Sequence, residues 1–279
     1  TTQIHMCNRT WDKINFNHVT GKTLFKFQNS FLNYQNIQEE HRNICKNNFK
    51  EFIEYKIRKN ESLKGGTLFP HELVKQYMLY KNDINNDFIN ENNNEDNNNE
   101  ENKNEELIDI MNLQWKGMVE EIKNKSKQDN FLNHCIPCID VSPSMYSNNS
   151  LPLESSVGMG LLAMEFCSFK QAFTFSETPE WIKLNDSNKF TDNVNDILQT
   201  EWGATTNIEK MFKLFLQKCK EKKINDEELQ KYSLMIFSDM QFNDCSYEME
   251  KSNIMETIKR LFVAGGYKSY PYLIFWNLR

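Results

Sequence analysis

At 279 residues with a formal net charge of −6, the chain has room for two domains, and its charge argues against indiscriminate nucleic-acid binding. A hydrophobic share of 39% and an aromatic share of 13% suffice for a sizeable core, which excludes a wholly disordered chain. No apolar run reaches the roughly 18 residues that a membrane-spanning helix needs, so no membrane partner is expected. The seven cysteines are scattered and mostly within apolar runs. That pattern suits reduced thiols and an intracellular, cytoplasmic location.

The first 130 residues read as a helical annex. Residues 1–30 are poorly periodic but carry Trp11, Ile14, Phe16 and Phe25, aromatic and apolar mass suited to docking on a larger body. From Glu39 to Lys59 the residues Cys45, Phe49, Phe52, Ile53 and Ile57 fall at helical spacing. Between them Arg42, Lys46, Lys50, Lys56, Arg58 and Lys59 predict a solvated basic face. Gly65 and Gly66 break the chain, and Pro70 opens a short helix through Leu73, Val74, Tyr77 and Met78. In residues 82–104, twelve of twenty-three positions are Asn and most others are acidic, which predicts a disordered insertion. Helix resumes at Glu105, where Leu107, Met111, Trp115, Met118 and Ile122 form a buried stripe.

Residues 131–279 alternate strand and helix, the pattern of an α/β fold with a largely parallel sheet. An apolar run, Cys135 to Ile139, ends in Asp140 and opens into a loop with Ser142 and Ser144. An apolar helix, Leu153 to Ser168, follows, with Gly158, Gly160 and Ala163 small enough for close approach to the sheet. The runs 172–176 and 181–184 predict a hairpin, and helices are expected over Phe190–Thr200 and Ile208–Lys222. A second apolar run, Ser233 to Ser238, again ends in an acid, Asp239. A helix to Val263 and a strand Tyr272–Trp276 complete the pattern.

Those two strand-end acids are the candidate chemistry. An acid at the carboxyl end of a parallel strand faces the crevice where open α/β sheets bind ligands. Asp140 with Ser142 and Ser144 suggests a hard cation held by carboxylate, hydroxyls and water, with Mg²⁺ favoured. The turn Trp202-Gly203-Ala204-Thr205-Thr206-Asn207, which opens the helix at Ile208, and the Asp239 strand can complete that site. A hydrolase would need a general base, yet His5, His18, His41 and His71 lie in the annex and His134 precedes the first strand. A phosphotransfer role for Asp140 lacks a second acid two residues on. Cys135 and Cys138 form a Cys-x-x-Cys within a buried strand and read as small core residues rather than a zinc or redox pair.

Asp140, Ser142, Ser144, Thr206 and Asp239 together resemble the metal-ion-dependent adhesion site of von Willebrand factor A domains. Thr206 is preferred to Thr205 because, directly before Asn207, it matches that family's Gly-x-x-Thr-Asn pattern. Pro143 stands where the family usually has Gly between the two serines. The blocks Thr10–Phe16, Leu68–Val74, Leu113–Lys116, Phe237–Phe242 and Phe275–Arg279 resemble a group of von Willebrand A proteins of plants, fungi and large DNA viruses. That group is similar in layout to the Ro/TROVE ribonucleoproteins.

The resemblance implies a von Willebrand A domain, a doubly wound, mostly parallel sheet with helices on both faces, over 131–279. It implies an α-helical annex before that domain, and a domain truncated at its C-terminus, since relatives continue beyond the last block. It also implies Mg²⁺ or Mn²⁺ at Asp140, Ser142, Ser144, Thr206 and Asp239, with the two acids acting mainly through water or through the hydroxyls. The expected function is then non-enzymatic: the cation engages a carboxylate of a protein partner. The alternative is a component of a Ro-like RNA-binding particle, with RNA on the basic face of the annex.

Overall fold

The computed structural model describes residues 1–90, 97–125, 130–184, 189–200, 207–241 and 254–279. The chain divides into two compact units, one of residues 1–69 and 77–127, the other of residues 70–76 and 128–279. Among the described residues no helix is long and apolar enough to cross a membrane.

The first unit is helical. Its elements are α1 (Thr2–Cys7), α2 (Gly21–Phe31), α3 (Glu40–Arg58), most of α4 (Pro70–Asn90) and α5 (Asn97–Lys125). Thr20 caps α2 by accepting the Thr23 N–H. The core is aromatic: Phe16 meets Phe31 edge-on at 5.2 Å and Phe49 at 4.7 Å between ring centroids. Trp11 and Phe16 therefore belong to this unit's own core. The segment 82–104 departs from the expectation of disorder, because helical backbone covers 82–90 and 97–104. Asn is a poor helix former, but both stretches extend long helices, and propagation costs less than nucleation. Residues 91–96 of that segment lie outside the described residues.

The second unit is α/β. Five strands, β1 (Cys135–Asp140), β2 (Gln171–Phe175), β3 (Glu180–Lys183), β4 (Ser233–Ser238) and β5 (Tyr272–Asn277), form one sheet in the order β3-β2-β1-β4-β5. All pairings are parallel except β2–β3, the expected hairpin, in which Phe173 faces Trp181. β1 and β4 are buried along their whole length, as their unbroken apolar runs require.

Their side chains alternate between two helical layers. Ile136, Cys138, Leu234 and Ile236 pack with α8 (Ile208–Glu221) and α10 (Ile254–Ala264). Cys135, Met235 and Phe237 pack on the other face with α6 (Leu151–Phe166). Cys135 and Cys138 thus point to opposite faces of one strand and cannot share a ligand. Burial pushes both thiols up.

Helix α6 is largely apolar because most of its circumference is buried, with Ser155, Met159, Leu162 and Phe166 left half-buried on one face. A Cβ at Gly160 would come within 2.4 Å of Ile139 Cγ1 on the sheet side. Gly158, two residues and about 200° away, faces Pro70 and His71 instead of the sheet. A Cβ there would lie 2.8 Å from the Pro70 carbonyl carbon, a backbone atom with no rotamer to yield. Gly158→Ala should therefore lower stability by roughly 1–3 kcal/mol, although alanine favours an exposed helix by about 1 kcal/mol. Chemical denaturation measures this; an unchanged or raised midpoint would contradict the packing described.

Candidate functional site

The sheet order creates a crevice. From β1 the chain moves outward to β2 and β3, then returns across β1 to β4 and β5. The carboxyl ends of β1 and β4 therefore flank the point where strand order reverses, the usual ligand position in open α/β sheets. Asp140 ends β1 and Asp239 directly follows β4, and both are essentially inaccessible to solvent.

Local structure explains how the first loop is held. Asp140 Oδ1 accepts the Ser142 N–H at 2.9 Å, turning the chain directly after the strand. Pro143 then begins a single 3₁₀ turn, Pro143–Tyr146, where its fixed φ and missing N–H are tolerated. The Ser142 and Ser144 hydroxyls are left 3.2 Å apart. After β4, Asp239 Oδ1 accepts the Gln241 N–H at 3.0 Å, while Asp239 Oδ2 is buried without a hydrogen-bond partner among the described residues. Met240 between them holds φ at +61°, the left-handed region. Strain of that kind in a β4 exit loop is typical of ligand sites.

Two buried carboxylates on adjacent strand ends are electrostatically unfavourable. Burial pushes the Asp140 pKa up to about 6; hydrogen bonds from Ser142 and Ser238 oppose the rise, and the charge of Asp239 adds to it. The orphaned Asp239 oxygen and the paired serine hydroxyls fit a hard divalent cation with oxygen ligands. Among the described residues no three His, Cys, Asp or Glu side chains converge. A cation here would thus depend on neutral hydroxyls as much as on acids.

Of the five residues expected from the sequence, Asp140, Ser142, Ser144 and Asp239 lie on the two loops at this edge. Thr206, with Trp202 to Thr205 of its loop, lies outside the described residues. Asn207, directly after it, donates its N–H to the Ser176 carbonyl just beyond β2 at 2.9 Å and caps α8 through Lys210 N. One residue escaped sequence reasoning as a site residue. Ser238 donates to Asp140 Oδ2 at 2.5 Å, linking β4 to β1. Its position beside Asp239 was the available signal, but period-2 alternation assigns a strand serine no partner.

The expected basic face of α3 is corrected. Arg42 is buried: its guanidinium lies 3.7 Å from the centre of the Trp11 ring and donates to the Ser30 carbonyl at 2.6 Å. Lys50 pairs with Glu106, and Lys56 with Glu61 at 2.7 Å. Lys46 is half-buried, while Arg58 and Lys59 sit exposed at the end of the helix. The six cations do not form one stripe, because an aromatic face and neighbouring acids take half of them.

Comparison with known proteins follows the same division of the chain. Residues 134–279, more than half of the chain, match the model of a family described as a domain of unknown function, DUF7788. The chain belongs to the DUF7788 family. Its DUF7788 region contains all five strands and both site loops. Residues 1–127 are similar to a second domain of unknown function, DUF2828. The chain is 28% identical over 280 residues to Uncharacterized protein L728 of Acanthamoeba polyphaga mimivirus, covering 98% of this chain. It spans 43% of the length of that relative. No solved structure matches the chain.

The DUF7788 site should betray itself through pH. The folded pKa of Asp140 stands above its ordinary value of 3.8, so folding favours the protonated form. The stability this group contributes is complete below about pH 4 and is lost as pH rises through about 6. In chelator, the melting temperature of the wild type relative to Asp140→Asn should fall between pH 4 and pH 7. A difference that stays flat or rises would contradict the burial of an acid whose hydrogen bonds do not fully offset its desolvation.

Proposed function

We propose that the second unit is a von Willebrand A-like binding module. In this reading Mg²⁺ or Mn²⁺ at the switch point engages a carboxylate of a protein partner. The observation that carries it is the Asp239 oxygen without a described partner after β4 and the serine hydroxyl pair after β1, on the two loops that flank the point where strand order reverses. The strand order, with one antiparallel edge strand and helices on both faces, supports the same reading.

In this reading Ser142 and Ser144 hold the ion directly, with Thr206 as a third hydroxyl. Both oxygens of Asp140 already accept hydrogen bonds, so this carboxylate acts through the hydroxyl loop and bound water. Neutral ligands donate little charge, so the ion would supply a strongly electrophilic position for an incoming carboxylate. Asp and Glu side chains of a partner protein provide that group.

The site is proposed to bind rather than catalyse. The nearest histidine along β1 is His134, six residues before Asp140 and roughly 20 Å away along an extended strand. The alternative, RNA recognition by the annex, would lose Arg42, which is buried against Trp11, and would rest on Lys46, Lys50, Lys56, Arg58 and Lys59.

Divalent cation should stabilise the wild type, by about 2.7 kcal/mol at a concentration 100-fold above its dissociation constant. Asp140→Ala should lose this shift while keeping a native circular dichroism spectrum. Thermal melts with and without Mg²⁺ test it. A wild type that shows no shift at millimolar Mg²⁺ refutes the metal-dependent function.

A further inference from the structure

Ser238, the last residue of β4, is fully buried, and its hydroxyl has two ordered partners. It donates to Asp140 Oδ2 at 2.5 Å and accepts the Met240 N–H at 3.0 Å. A buried serine needs only a backbone carbonyl to satisfy its proton, as Ser156 does by donating to Phe237 O at 3.0 Å. Ser238 instead gives its proton to a carboxylate on the neighbouring strand. The acceptor side of the same hydroxyl holds the N–H of the left-handed residue beside Asp239. One oxygen atom therefore ties together the Asp140 side chain and the loop that carries Asp239.

We propose that Ser238 is a positioning residue of the cation site, acting through Asp140. This rests on the reading of the switch point as a cation site. Asp140 Oδ1 is held by its own loop through Ser142 N, and Oδ2 is held by β4 through Ser238. With both oxygens fixed, the carboxylate cannot rotate, and the Ser142–Ser144 loop is registered against Asp239. Without the Ser238 hydroxyl, Asp140 is anchored from one side only, and the repulsion between the two acids acts on a freer side chain. In the proposed site Asp140 acts through water and the hydroxyl loop, so Ser238 lies one shell further out, and its loss should fall at the low end of the roughly 10-fold to 100-fold seen for partners of direct ligands.

The test is the affinity for Mn²⁺ alone, read from the paramagnetic resonance signal of the free ion, in four proteins. These are the wild type, Ser238→Ala, Ser238→Thr and Ser238→Val. Threonine and valine have the same shape and differ in the hydroxyl, so their comparison isolates the hydrogen bond even if added bulk disturbs the strand end. Ser238→Ala and Ser238→Val should each weaken Mn²⁺ binding by about 10-fold, and Ser238→Thr should stay close to the wild type. Wild-type affinity in Ser238→Ala, or equal losses in the threonine and valine variants, would overturn the positioning role. A wild type that fails to bind Mn²⁺ would overturn it too, and would show separately that the cation reading is at fault.

Discussion

The second unit is organised around a single electrostatic difficulty, two carboxylates buried on adjacent strand ends. Asp140 and Asp239 are withdrawn from water; burial raises the proton affinity of Asp140, and the charge of Asp239 adds to the rise. Such pairs are costly unless something positive or proton-donating compensates them. The hydrogen bonds from Ser142, Ser238 and Gln241 offset part of the cost, yet among the described residues one oxygen of Asp239 is left without a partner. The cation proposed above would relieve that imbalance.

The rest of the unit serves to hold the pair in place. Parallel strands buried on both faces need helices on both sides. The path from β1 to β2 and back across to β4 sets two strand ends side by side with no crossover between them. The glycines of α6 bring that helix close to β1 on one side and to Pro70 on the other. A rigid platform would matter to the proposed cation site, because metal coordination tolerates displacements of only a few tenths of an ångström.

Much of this was legible in the residues themselves. Two apolar runs, each ending in an acid, announced buried parallel strands with carboxylates at the crevice, and Asp-x-Ser-x-Ser announced the hydroxyl pair. What was not legible depended on contacts distant in sequence. Ser238 and Asp140 are 98 residues apart, and nothing near Ser238 shows where its proton goes. Arg42 read as a surface cation because its spacing fits a polar face, whereas Trp11, 31 residues earlier, supplies an aromatic face that draws it inside. Gly158 read as a contact to the sheet because α6 shows no polar stripe to orient it. The Asn-rich stretch was judged by composition, which carries no information about helices entering from either side.

The most direct test of the central claim is anomalous diffraction at the manganese edge from crystals of the protein grown with Mn²⁺. The account predicts one strong peak at the carboxyl ends of β1 and β4, within coordinating distance of the Ser142 and Ser144 hydroxyls and beside Asp239. A clear map with no peak there at saturating Mn²⁺, or a peak bound elsewhere while Asp239 Oδ2 finds a protein partner, would contradict it.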